Sequence, residues 1–250
     1  MPKFAANLTM LFTELPFMER FAAAREAGFD AVEVLFPYEF SAQEMRHQLV
    51  MNDLTFVLMN VPPPNWTGGD RGFAAVPGAE ERFRRDFERS LRFADVLKPH
   101  HVHIMSGKAT GAVARATYIE NLKWAAGRAP KRSLTIEPIN PIDMPGYFLN
   151  DFDLAAEILD AVGAPNLHLQ FDMYHAQMLT GDGAAVWRKH GHRAVHIQVA
   201  GTPGRHEPVA GDIDYPAFFA ALDAQGYKGF VSGEYTPALT TEEGLGWIAP

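Results

Sequence analysis

Three carboxylates and one amide stand at or beside the ends of short runs rich in β-branched residues. Glu137 follows Ser133-Leu134-Thr135-Ile136, Asp172 closes Leu167 to Asp172, Gln198 lies within Ala194 to Val199, and Glu234 closes Gly229 to Glu234. Short apolar runs bounded by Gly, Pro or Asn read as strands, so each group is offered at a strand end. Carboxylates drawn into one small space repel one another and are pushed toward the neutral form. A divalent cation removes that conflict, and donors that are all oxygen suit a hard ion, Mg²⁺ or Mn²⁺. Taken singly, each has an ordinary use. Glu137 before Pro138 is a strand-end carboxylate, Asp172 can cap the turn after it, Gln198 can be a structural amide, and Glu234 can pair with a surface lysine. Their joint placement carries the inference.

Further polar groups lie close in sequence. His175, three residues after Asp172, offers an imidazole to a metal or to a substrate oxygen. The run Gln198-Val199-Ala200-Gly201-Thr202-Pro203-Gly204-Arg205-His206-Glu207-Pro208 leaves a strand and presents a cation, an imidazole and a carboxylate together. Arg205 and Lys108 are candidates to receive an anionic group. Glu207 with His206 either meets a sugar-like hydroxyl or braces its loop. His103, His168 and His196 alternate along strands and read as packing.

The elements that must position these groups alternate. Strands are predicted at Phe4 to Asn7, Ala31 to Phe36, Leu54 to Val61, His101 to Met105, Ser133 to Glu137, Leu167 to Asp172, Ala194 to Val199 and Gly229 to Glu234. Helices are predicted between them. One opens at Thr13-Glu14-Leu15-Pro16 and stops at Gly28, and another opens with the capping box Ser41 to Glu44. Others cover Glu80 to Leu97, Val113 to Ala129, Phe152 to Val162 and Tyr215 to Gln225. A weaker one covers Ala184 to His190, and a short last one follows Thr240. Strand–helix alternation implies right-handed parallel units. Eight such units predict an α/β fold, a (β/α)8 TIM barrel filling residues 1–250 as one domain. A doubly wound open sheet is the alternative, and the chain has no GxGxxG turn to support it. In a barrel the site forms at the C-terminal strand ends, where the fifth to eighth strands bring Glu137, Asp172, Gln198 and Glu234 together. The irregular segment Pro62 to Gly78 reads either as a surface excursion or as a lid, with Trp66 or Phe73 closing over a ligand.

Composition narrows the partners. A net charge of −8 with no basic cluster excludes a nucleic-acid surface. The absence of cysteine removes disulfides, thiolate metal sites and a thiol nucleophile. No run is long and apolar enough for a membrane span, and the first residues lack a signal-peptide core, so a cytoplasmic protein is expected.

Several stretches resemble the hydroxypyruvate isomerase family of xylose isomerase-like barrels. They are Phe4-Ala5-Ala6-Asn7-Leu8-Thr9-Met10-Leu11-Phe12-Thr13-Glu14, Gly28-Phe29-Asp30-Ala31-Val32-Glu33, the Gln198 to Pro208 run and Glu242-Glu243-Gly244-Leu245-Gly246-Trp247. The resemblance spans nearly the whole chain and implies an aldose–ketose-type isomerase acting on a small anionic hydroxy-oxo acid. The family holds hydroxypyruvate isomerases and 2-oxo-tetronate isomerases. By resemblance, Glu137 and Glu234 fill the acid/base positions, and Glu137, Asp172, Gln198 and Glu234 the metal positions. The segment between Ser106 and Ser133 looks short for the family, and little chain follows Trp247. A homodimer is expected. Rival readings are a ketose 3-epimerase, a zinc-dependent DNA-repair endonuclease and a non-catalytic binding barrel. The epimerases have His where this chain has Gln198. The endonucleases need extra His ligands where it has Asn60 and Ser106.

Overall fold

The computed structural model describes residues 2–61, 71–209 and 211–248. Its strands are β1 (Lys3–Asn7), β2 (Ala31–Glu33), β3 (Thr55–Phe56), β4 (Leu58–Asn60), β5 (His101–His103), β6 (Ser133–Ile136), β7 (Leu167–Asp172), β8 (Ala194–Val199) and β9 (Phe230–Gly233). All pair in parallel in the order β3-β2-β1-β9-β8-β7-β6-β5-β4. The two edges are one piece of chain, because Val57 divides the third predicted strand into β3 and β4. Val57 N donates to Val32 O (2.8 Å), Val34 N to Leu58 O (3.2 Å) and Asn60 N to Leu35 O (2.9 Å). These bonds close the sheet into a barrel of eight staves. Because β3 and β4 stand at the two ends of the strand order yet are one continuous piece of chain bonded to β2, the sheet returns on itself, which rules out the open doubly wound alternative.

Helices wrap the outside: α1 (Arg20–Glu26), α2 (Ala42–Met51), α3 (Glu80–Leu97), α4 (Gly111–Arg128), α5 (Phe152–Val162), α6 (Met173–Thr180), α7 (Gly183–His190) and α8 (Tyr215–Ala224). Each turns an apolar stripe to the barrel. On α3, Phe83, Phe87, Leu91 and Ala94 recur at helical spacing and are buried. Ser41 caps α2, as the sequence predicts, and Asp151 caps α5. The first predicted helix starts later, as a 3₁₀ turn at Phe17–Glu19 before α1. The last is 3₁₀ over Glu242–Trp247, with Thr240 Oγ1 donating to Glu243 Oε2 at 2.6 Å.

Helix α6 is absent from the sequence reading. It grows straight out of β7, capped by Asp172, and its Tyr174, His175 and Thr180 hide its period.

Inside the barrel, Ala5, Ala31, Val57 and Leu58 form a small apolar plug. Above it the inward positions turn polar. Of the segment read as a lid, 62–70 with Trp66 lie outside the described residues. Residues 71–78 are pinned to the wall: Ala75 N donates to Ser106 O (2.7 Å) and Asn121 Nδ2 to Ala74 O (2.8 Å). Phe73 packs under the Arg82 guanidinium.

Candidate active site

The C-terminal strand ends enclose a cavity of about 320 Å³ lined by Leu35, Asn60, Met105, Ile139 and Met144 together with Arg71, Lys108, Glu137, Asp143, His175, Arg205 and Glu234. That size suits a small molecule.

Glu137, Asp172 and Glu234 are buried at its floor. Asp172 does two things. Its Oδ1 accepts from Tyr174 N (2.7 Å) and His175 N (3.4 Å), the capping role foreseen as its ordinary use. Its Oδ2 has no hydrogen-bond partner and lies 3.7 Å from both Arg205 Nη2 and His175 Nε2. Glu137 Oε2 lies 3.6 Å from His103 Nδ1. Glu137, Asp172 and His175 each bring one ligand atom within 4.8 Å of the others.

Gln198 sits among them through its amide nitrogen. Nε2 donates to Glu33 Oε1 (2.9 Å) and, closely, to Glu234 Oε2, while Oε1 accepts from Gln170 Nε2 (2.6 Å). Gln170 Oε1 in turn accepts from Thr135 Oγ1 (3.1 Å). Glu33 gathers three donors, counting Asn7 Nδ2 (2.8 Å) and His196 Nε2 (2.7 Å). His196 and His103 were expected to pack, and both are buried. Each also has a carboxylate neighbour, so they belong to the polar layer under the site.

Arg205 follows Gly204 at a left-handed φ of +55° and rests on the Tyr174 ring at 4.9 Å. Its Nη2 donates to Glu234 Oε1 (2.9 Å) and its Nη1 to Asp143 Oδ2 (3.2 Å). Lys108 is exposed at the rim with no ion pair among the described residues. Glu207 is not brought to the pocket. Its Oε1 accepts from Ala238 N (2.9 Å), and His206 Nδ1 meets Thr236 O (2.8 Å), so the pair braces the loop.

His175 is oriented by Asn140. Asn140 Oδ1 accepts from Ile142 N and Asp143 N, both at 3.0 Å, which turns Nδ2 toward His175 Nδ1 at 2.8 Å. Nδ1 must therefore accept, and the ring proton sits on Nε2, toward the pocket. Neither Asn140, Asp143 nor Arg71 was singled out from sequence. The first two follow Glu137 in Glu137-Pro138-Ile139-Asn140-Pro141-Ile142-Asp143, and proximity to that strand end was the available signal.

Electrostatics follow the burial. Glu137 is pushed well above the usual carboxyl range by burial and by the neighbouring Glu234 and Asp172 charges. Glu234 is pushed up to about 8, by burial foremost, against the pull of Arg205. Burial also raises Asp172, opposed by Arg205 and two backbone N–H groups. Burial holds His103 and His175 down to about 3, so both rings are neutral. Burial disfavours the Arg205 charge, yet Glu234, Asp172 and Asp143 together raise its pKa. One guanidinium thus serves three carboxylates, and the surplus of negative charge is carried as bound protons.

The family model described as Xylose isomerase-like TIM barrel matches residues 21–250. The chain is 48% identical to the 2-oxo-tetronate isomerase of Cupriavidus necator, covering 100% of this chain and 98% of that one. It is 38% identical to the hydroxypyruvate isomerase of Escherichia coli, covering 100% and 99%. A crystal structure of a Brucella melitensis protein named AP endonuclease, family 2, superposes with a TM-score of 0.96 at 43% identity, covering 100% and 99%. A barrel closed from eight staves, with a carboxylate floor at their C-terminal ends, and full-length kinship to these isomerases lead to one conclusion: the chain belongs to the xylose isomerase-like TIM barrel family and, within it, to the hydroxypyruvate isomerase family.

Proposed function

We propose that this protein interconverts hydroxypyruvate and tartronate semialdehyde, or a close hydroxy-oxo acid such as a 2-oxo-tetronate, by moving a carbonyl between neighbouring carbons. The observation that carries the reading is the pair of buried carboxylates, Glu137 and Glu234, three staves apart at the floor of one small cavity and both held above their ordinary pKa. A carboxyl tuned toward neutral pH can both take and return a proton. One glutamate removes the proton from the carbon bearing the hydroxyl, the other returns a proton to the adjacent carbon, the hydroxyl proton passes to the former carbonyl oxygen, and the two glutamates regain their starting states by proton exchange with water. His175 Nε2–H donates to the oxygen that gains negative charge between these steps.

The residues fit a divalent cation. Asp172 Oδ2 is a buried oxygen with no hydrogen-bond partner, and it shares the floor with two further carboxylates that repel each other. Glu137, Asp172 and Glu234 would hold Mg²⁺ or Mn²⁺. Gln198 would join them with its amide turned end for end, at the loss of its Nε2 bond to Glu33 Oε1, and Gln170 could turn with it because the Thr135 hydroxyl both donates and accepts. Such an ion supplies Lewis-acid stabilisation of the enediolate.

The names of the most similar relatives support an acid substrate. An endonuclease reading, raised by the name given to the Brucella melitensis protein, meets a chain of net charge −8 with no basic cluster to hold a phosphate backbone. A ketose epimerase reading leaves the cations of the pocket without an anion to bind. The test is ¹H NMR in D₂O with hydroxypyruvate and a 2-oxo-tetronate, each with and without Mg²⁺ or Mn²⁺. Conversion with solvent deuterium entering the product is expected. A folded, metal-supplied protein that converts neither acid refutes the reading.

A further inference from the structure

We infer that Arg71 is the residue that takes the substrate's carboxylate, a role the sequence had offered to Arg205 and Lys108. This rests on the hydroxy-oxo acid reading above. Three cations line the pocket: Arg71, Lys108 and Arg205. Arg205 is committed, with Glu234 at 2.9 Å, Asp143 at 3.2 Å and Asp172 at 3.7 Å. Turning it to a ligand would strip buried carboxylates of their neutralising charge. Lys108 is an exposed rim residue whose ammonium acts as a point charge.

Arg71 differs from both. Among the described residues it makes no ion pair, its charge reaches Glu234 only from a distance, and its guanidinium lies 5.5 Å from the Phe36 ring centroid. Stacking on a ring holds the planar head while leaving its N–H edge free, and that edge matches a carboxylate with two parallel hydrogen bonds. Its backbone is also fixed. Gly72 and Gly107 meet back to back at φ +87° and +85°. A Cβ on Gly72 would strike Met105 O, and one on Gly107 would strike Gly72 O. Only glycine at both positions lets the Arg71 segment lie this close to the wall, where Ala75 N is bonded to Ser106 O.

The placement orients the substrate. The acidic lining, Glu137, Asp143 and Glu234, offers a carboxylate no cation to pair with. An acid therefore docks with its carboxylate on Arg71, aided by Lys108, and its hydroxy-oxo carbons over the glutamates. A neutral ketose offers Arg71 only uncharged oxygen acceptors, weaker partners than a carboxylate, so this residue sets the preference for acids.

The test uses Arg71→Met, which keeps the apolar stem and deletes the fork, with Arg71→Lys beside it. The probe is glycerate, an acid with hydroxyls but no carbonyl to isomerise, titrated calorimetrically into the Mg²⁺-supplied protein, with glycerol as the neutral control. Losing a charged bidentate contact should weaken glycerate binding about 10- to 100-fold, with Arg71→Lys in between. KM for hydroxypyruvate should rise by a similar factor while kcat and thermal stability hold. Unchanged glycerate affinity in Arg71→Met, no glycerate binding by the unmodified protein, or a fall in kcat at constant KM each overturns the assignment. Arg71-dependent glycerate binding without turnover of any hydroxy-oxo acid would instead remove the isomerase reading and leave the carboxylate site standing.

Discussion

Each acid/base residue differs from a surface carboxyl in what surrounds it. Glu137 has burial, Glu234 and Asp172 holding it protonated, and Glu234 has Arg205 and the Gln198 amide on its two oxygens. Replacing either glutamate by Gln keeps size and removes the titrating group. Turnover should fall by about 10² to 10⁴ while the circular dichroism spectrum remains that of the folded protein. Activity near that of the unmodified enzyme would take the residue out of the relay. Asn140 makes a subtler case, because two backbone N–H groups fix its oxygen and its nitrogen fixes the His175 tautomer. Asn140→Asp places an acceptor against Nδ1, so the ring proton moves there and Nε2 loses its hydrogen. We expect ¹⁵N spectra to show the exchanged tautomer and kcat to fall about 10²-fold. An unaltered imidazole spectrum would show that Asn140 does not govern the ring.

Elements were legible where local signals agree. Glycine stops after helices, capping boxes and β-branched runs located all eight staves, because each signal acts within a few residues. The division of the third strand at Val57 was not legible, since it comes from closing the barrel between Val32 and His101 neighbours far away in sequence. Helix α6 was missed because its cap, Asp172, was read for its chemistry. At the site, the carboxylates Glu137, Asp172 and Glu234 could be placed from strand ends alone. The amide orientation of Gln198, the outward turn of Glu207 and the pocket wall from Arg71 depend on side-chain packing that no local pattern encodes. The contact between Gly72 and Gly107 is an element-scale prediction of the same kind. Gly107→Ala puts a Cβ at φ +85° against Gly72 O, at a cost of about 1–3 kcal/mol. It should lower the melting temperature and raise KM together, because the segment carrying Arg71 must move. A melt equal to that of the unmodified protein would show that the two loops are not packed as described.

At the scale of the whole molecule, the polar layer inside the barrel makes stability depend on pH in a way the surface charges do not. Glu234 titrates near about 8 in the folded protein against an ordinary value of 4.5, and Glu137 and Asp172 are raised by the same burial. A raised carboxyl favours the folded state while it holds its proton. Its contribution is whole below the unfolded value and is lost as pH climbs through the folded one. His103 and His175, held down to about 3 from 6.5, act in the opposite direction: their contribution is whole above about 6.5 and is lost as pH falls toward 3. Between about pH 6.5 and about 8.5 the imidazoles are neutral in both states and only the carboxyls change. The protein in EDTA should therefore melt at progressively lower temperature across that window. Mg²⁺ or Mn²⁺ should flatten the decline, because a cation at the floor replaces the protons that hold the carboxylates together. Scanning calorimetry at fixed ionic strength, with and without the metal, reads both effects. A melting temperature in EDTA that holds level or rises over the window would mean that the three carboxyls are already ionised in the folded protein. The charge they share would then have to be balanced by Arg205 alone.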